Sequence, residues 1–145
     1  YNNFFKKKYY EPELPIGVSP HLYKFATSSI DVSDGLSQDL KHLCKTKNFG
    51  ANIDLNLLPI SNNIKKLIKK KKLHLKKIFS KGDDYQILFT ALNKNRTKIL
   101  SLSKKLNLKI SLIGSITRNK DIIFNYNGSK FKMSDKNTGY IHKFI

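Results

Sequence analysis

Between Ala26 and Cys44 the spacing of apolar residues changes period, and this change constrains the fold more than any other feature. Residues 26–32, "ATSSIDV", are small and β-branched, as a short strand requires. From Leu36 onward, Leu36, Leu40, Leu43 and Cys44 follow the i, i+4, i+7, i+8 spacing of one buried helix face. The changeover falls within Ser33-Asp34-Gly35. A chain that passes directly from strand to helix, and does so again downstream, belongs to the mixed α/β or α+β class, a mixed sheet packed by helices.

The later pattern extends that reading. Gly50 is placed to stop the first helix. Ile53, Leu55 and Leu57 alternate with polar residues, which predicts a half-buried strand closed by Pro59. Ser61 is placed to cap a helix that begins with Ile64, Leu67 and Ile68. Residues 84–91, "DYQILFTA", predict a buried strand. A helix over 94–106 would face inward through Ile99, Leu102 and Leu106, with Leu100 a further candidate, and 108–117 predict another strand. Strand, helix and strand over this length have the spacing of a crossover unit. Asn127-Gly128 between two alternating runs predicts a hairpin. Pro12, Pro15 and Pro20 bar a continuous helix across residues 1–20, which read as an irregular lead-in segment with a short helical turn near "PHLYKFA". Residues 21–145 then form one α/β domain, a size that suits the chain length of 145.

Charge raises a different possibility. Twenty-eight basic residues face ten acidic ones, a formal net charge of +18. Such an excess invites nucleic acid or an anionic membrane as partner. The composition argues against a built nucleic-acid groove, because arginine occurs only at Arg96 and Arg118 and phosphate readers favour its planar fork. The run Lys69 to Lys72, with Lys65, Lys66, Lys76 and Lys77, reads as a solvated face; only Phe79 lies near for base stacking. A basic nucleic-acid-binding domain stands as an alternative reading. Cys44 is the single cysteine, which excludes an internal disulfide framework and a cysteine-based zinc site and fits a reducing compartment. His21, His42, His74 and His142 share no ligand spacing. No apolar run approaches the roughly 20 residues of a membrane span, and the first residues lack a signal-peptide pattern. With no Met at position 1, the chain is expected to be the C-terminal part of a longer protein.

Against this basic background the acids are unevenly placed. Asp31 and Asp34 flank Ser33 at the strand-to-helix changeover. Helix N-termini carry unpartnered N–H groups that favour anions, and Gly35 admits a ligand close to the backbone. Two carboxylates there suit magnesium, which commonly bridges one or two carboxylates to substrate phosphates. The competing reading is local: Ser33 or Asp34 caps the helix and Asp31 pairs with a lysine. Asp83 and Asp84 follow Gly82 just before a strand, so four of the ten acids occur as two pairs beside glycine. Paired carboxylates repel unless a cation or proton relieves them.

In order, "ATSSIDVSDGLSQDLKHL", "GANIDLNLLPIS", "FSKGDDYQILFT", "LIGSIT" and "GYIHKF" resemble the C-terminal half of the thiamine-monophosphate kinase family, within the superfamily of aminoimidazole ribonucleotide synthetase. The resemblance runs from about Pro12 to the end. It implies the superfamily's C-terminal α/β fold and an ATP- and Mg2+-dependent phosphorylation of thiamine phosphate to thiamine diphosphate. It makes Asp31 and Asp34 magnesium ligands and Ser33 an ATP contact. Asp83 falls where the family has a substrate-binding Glu, one carbon longer, and Lys81 where it has Gly. Tyr140 would be the aromatic substrate contact; Ile141 replaces an acid and Lys143 is an insertion. The resemblance further implies a cytoplasmic enzyme, a homodimer when complete, and a missing N-terminal domain that supplies more metal ligands, so that this chain alone would be inactive. A non-catalytic nucleotide-binding relative of the same superfamily is the other alternative.

Overall fold

The computed structural model describes residues 2–82 and 84–132. The first strand, β1 (Ala26–Val32), turns through Ser33–Gly35 into helix α2 (Leu36–Lys45), as the change of period predicts. Before them stands helix α1 (Asn2–Tyr10), followed by a 3-10 segment over Ile16–Lys24. The helix at the start departs from the irregular reading of residues 1–20. The prolines that motivated that reading begin only at Pro12, so nothing in residues 2–10 opposes helical geometry. The helical turn near "PHLYKFA" is present as the end of the 3-10 segment.

Helix α2 buries Leu36, Leu40 and Cys44, with Leu43 half-buried. Gly50 does not stop it. Asn48 takes the left-handed conformation (φ 54°), and the N–H of Phe49 returns to the Cys44 carbonyl at 3.1 Å. Gly50 instead opens strand β2 (Gly50–Asp54), where any side chain would overlap the carbonyls of Asn119 and Asp121. The predicted alternation through Leu57 also breaks early. The Asp54 carboxylate accepts from the backbone N–H and side-chain amide of Asn56 at 2.9 and 2.7 Å, closing a 3-10 turn over Leu55–Leu57. Ile53 and Leu55 are buried as expected, while Leu57 is exposed.

Ser61 caps helix α3 (Asn62–Lys69), its hydroxyl accepting from the Ile64 N–H at 3.3 Å. A short helix α4 (Leu75–Phe79) leads to strand β3 (Gln86–Ala91), helix α5 (Arg96–Lys105) and strand β4 (Gly114–Thr117). Strands β5 (Ile122–Tyr126) and β6 (Ser129–Phe131) form the expected hairpin, with Asn127 and Gly128 both at positive φ. That is the geometry of a two-residue primed turn.

Two sheets result. β1 and β3 pair antiparallel as a two-stranded ribbon, and the other four strands lie in the order β4-β2-β5-β6. β2 runs antiparallel to β4 and parallel to β5. The segment β3-α5-β4 is therefore not a crossover unit, because its strands belong to different sheets. β3 is half-buried rather than buried, since among the described residues only β1 pairs with it. The core gathers Val32, α2, Ala51, Ile53 and Leu55 around Leu75, Phe79 and Phe124, with Phe79 stacked on Phe124 at 5.1 Å between ring centres.

Candidate functional site

The acidic turn lies where the ribbon ends and α2 begins. Asp31 is an exposed residue opposite Ile87, and Val32 anchors the strand end in the core. The next residues, Ser33 and Asp34, are half-buried. Gly35 is the helix N-cap at φ 110°, a conformation that disfavours side chains. No side chain at the cap position bonds the helix, so Ser33 and Asp34 are not its caps. Among the described residues neither Asp31 nor Asp34 enters an ion pair. Both halves of the local reading, cap and lysine pair, are thus unmet.

The second acidic turn meets the first. The Tyr85 N–H donates to the Val32 carbonyl at 2.9 Å, one step beyond the Val32–Gln86 register pair. A Cβ on Gly82 would overlap the carbonyl oxygen of Ser33. A Cβ on Gly35 would stand 2.9 Å from the Lys81 carbonyl carbon and oxygen. The two glycines let segments 33–35 and 80–82 touch backbone to backbone. Tyr85, at φ 49°, takes the sharp bend back into β3. Sequence analysis singled out each turn; their contact follows from the β1–β3 register. Asp83 and Tyr140, the expected substrate contacts, lie outside the described residues.

One role was missed. Asp39, 3% exposed, lies in the first turn of α2 among the buried leucines. Its Oδ2 accepts from the backbone N–H groups of Asp34 and Gly35, each at 3.1 Å. Burial pushes its carboxyl above the ordinary aspartate value. The N–H groups of Asp34, Gly35 and Ser33 pull it down, and the nearby Asp34 charge adds to the rise. The sequence signal was available: an acid four residues past Gly35 can reach back to the start of its own helix, much as in a capping box.

The donor set at the turn is all oxygen, two carboxylates and a hydroxyl, which suits a hard cation such as magnesium. Among the described residues no group of three or more His, Cys, Asp or Glu is poised to hold a metal. Any cation here would need phosphate or further protein ligands to complete its shell. Cavities of about 360 Å³, between Lys41, Lys45, Asn48 and Lys132, and about 300 Å³, beside Ile68 and Tyr126, do not include the turn. The basic run behaves as a solvated face: Lys65, Lys66 and Lys69 to Lys72 are exposed, while Phe79 is buried and closed to stacking. Among the described residues no helix is long and apolar enough to cross a membrane.

Comparison with known proteins places these features. The family pattern described as AIR synthase related protein, C-terminal domain, matches residues 21–127. The thiamine-monophosphate kinase of Buchnera aphidicola subsp. Acyrthosiphon pisum (strain APS) is 33% identical over 140 residues, 97% of this chain and 43% of that protein. The crystal structure of thiamine-monophosphate kinase from Stenotrophomonas maltophilia K279a is similar with a TM-score of 0.67 and 30% identity, covering 81% of this chain and 36% of that one. The structure of AaThiL complexed with AMPPCP and TMP gives a TM-score of 0.72 at 26% identity, covering 94% and 40%. The chain spans less than half the length of these relatives.

Proposed function

The chain belongs to the family of AIR synthase related proteins, C-terminal domain, and from that membership we propose that it is the C-terminal part of a thiamine-monophosphate kinase. In this reading ATP and Mg2+ are used to phosphorylate thiamine phosphate, in the cytoplasm, by a homodimer whose N-terminal domain lies outside this chain. The Buchnera and Stenotrophomonas relatives, which cover 97% and 81% of the chain, carry that activity in their names, and AaThiL is a complex with AMPPCP and TMP. The observation that carries the reading is the contact between the two acidic turns. It sets the Asp31–Asp34 turn directly beside the segment that runs into Asp83.

Direct phosphoryl transfer asks a protein mainly to position the reactants and to offset charge. Asp31 and Asp34 would hold Mg2+, which when bound neutralises charge on the phosphate oxygens. Ser33 would contact ATP from the same turn. Asp83 and Tyr140 would hold thiamine phosphate, Tyr140 by stacking on a thiamine ring. The Asp31 carboxylate is exposed and the Asp34 carboxylate half-buried, so both keep oxygens available without a large burial cost. No protein nucleophile is required, since a phosphate oxygen of thiamine phosphate attacks the γ-phosphorus of ATP.

The test is a turnover assay on the chain joined to its N-terminal half, with ATP, Mg2+ and thiamine phosphate. ADP and thiamine diphosphate are the expected products, with activity falling by about 100-fold or more in Asp31→Asn. Unchanged activity in Asp31→Asn removes the metal role, and absence of turnover in the unmutated protein removes the kinase. The 145-residue chain by itself is expected to give no product.

A further inference from the structure

Asp39 is the only buried carboxylate among the described residues. Its burial needs a reason, because taking a carboxylate out of water costs free energy that hydrogen bonds must offset. A surface Ser or Asp at the N-cap position would bond N–H groups two or three residues further on and leave those of Asp34 and Gly35 unmet. Here the position is closed to both. Gly35 sits at φ 110°, and a side chain there would press on the backbone of Ser80 and Lys81. The glycine that lets the two turns touch also removes the ordinary cap. Asp39 bonds the two N–H groups at the mouth of the helix, those of Asp34 and Gly35, from beneath.

We propose that Asp39 is a positioning residue for the acidic turn: its buried carboxylate, tied to the backbone of Asp34 and Gly35, holds the Asp31–Asp34 oxygens at one fixed spacing from segment 80–82. Two devices converge on the same three residues. Asp39 pulls on the turn from the helix side, and Gly82 fits against Ser33 from the other. With both in place the turn has little freedom to swing, and carboxylates three residues apart stay presented together. The consequence for catalysis rests on the kinase reading; the consequence for the turn does not.

The experiment therefore has two arms. In the 145-residue chain, Asp39→Ala is expected to speed amide hydrogen exchange at Asp34 and Gly35 by tenfold or more. Resonances of Ser33 and Gly82 should broaden while the β1–β3 ribbon keeps its protection. Asp39→Asn retains an acceptor oxygen and is expected to fold, with the Asp34 and Gly35 amide resonances moved upfield. Unchanged exchange at the turn in Asp39→Ala, or wild-type Asp34 and Gly35 resonances in Asp39→Asn, overturns the inference whether or not the complete protein is a kinase. In the chain joined to its N-terminal half, Asp39→Ala is expected to raise the Mg2+ concentration for half-maximal rate about 10- to 100-fold. Asp39→Asn should recover most of that loss. A fall in melting temperature in both variants with an unchanged Mg2+ dependence would mark a plain helix cap and overturn the positioning role.

Discussion

Cys44 is the only thiol in the chain and is 3% exposed in the core beneath α2. Burial raises its pKa above the ordinary thiol value. The unfolded chain therefore loses the thiol proton first, from about pH 8.5 upward, while the folded chain keeps it. The stability linked to Cys44 is complete below that pH and is lost as pH rises through the folded value. Urea denaturation at pH 7, 8.5 and 10 should show Cys44→Ala less stable by about 1 kcal/mol at pH 7. The gap should narrow at each higher pH; a constant gap would mean that the thiol titrates alike in both states. Gly82 gives a steric prediction. A methyl group there would overlap the Ser33 carbonyl, so Gly82→Ala should cost about 2–4 kcal/mol, measured by the same denaturation. Single residues were unevenly legible in the sequence. Asp31, Ser33 and Asp34 stood out because acids are scarce. Asp39 is one acid inside an amphipathic helix, and its role depends on the turn at Asp34 and Gly35 being packed against a distant segment. That constraint comes from Lys81, forty-six positions away in the chain, and no local pattern reports it.

At the scale of elements, helix α3 combines a side-chain cap with shallow packing. None of its residues is fully buried, though Ile68 packs half-buried against the core, and the Ser61 hydroxyl bond to Ile64 adds to that contact. Ser61→Ala should cost about 1 kcal/mol. For a chain of this size that lowers the melting temperature by about 2–4 °C, read by circular dichroism. An unchanged melting temperature would place α3 outside the cooperative unit. The elements with local signals were the ones readable in advance: β1, α2, the Ser61 cap and the Asn127-Gly128 hairpin each rest on a few adjacent residues. The misreadings share a different cause. Glycine serves both as a helix stop and at close backbone approaches, and for Gly50 only its closeness to Asn119 and Asp121 reveals the strand role. The β3-α5-β4 spacing matched a crossover, yet sheet membership is decided by partners distant in the chain. β3 pairs with β1 and β4 with β2, and spacing carries neither fact.

At the scale of the whole molecule, the charge of +18 is a destabilising field as well as a solubilising one. The ion pairs Lys8–Glu13 and Lys132–Asp121 are both exposed and offset little of it. Added salt shortens the Debye length from about 30 Å at 0.01 M to about 8 Å at 0.15 M. Screening should therefore stabilise this chain, raising its melting temperature, where a protein held by many surface pairs would lose stability. The same charge should draw nucleic acid without selecting it. Beside the exposed lysines of residues 65–72, Phe79 is buried and Tyr126, which shares a cavity with Lys65 and Lys69, is half-buried, a poor platform for stacking bases. Binding to single-stranded RNA at 50 mM salt is then simple phosphate attraction. It should fall by about 300-fold or more by 200 mM if six or more phosphates are engaged, with equal affinity for unrelated sequences. A filter-binding titration at the two salt concentrations decides the matter. Affinity that survives 200 mM salt and differs between sequences would make the lysine helix a reader, and would move this chain's function from the acidic turn to the opposite chemistry.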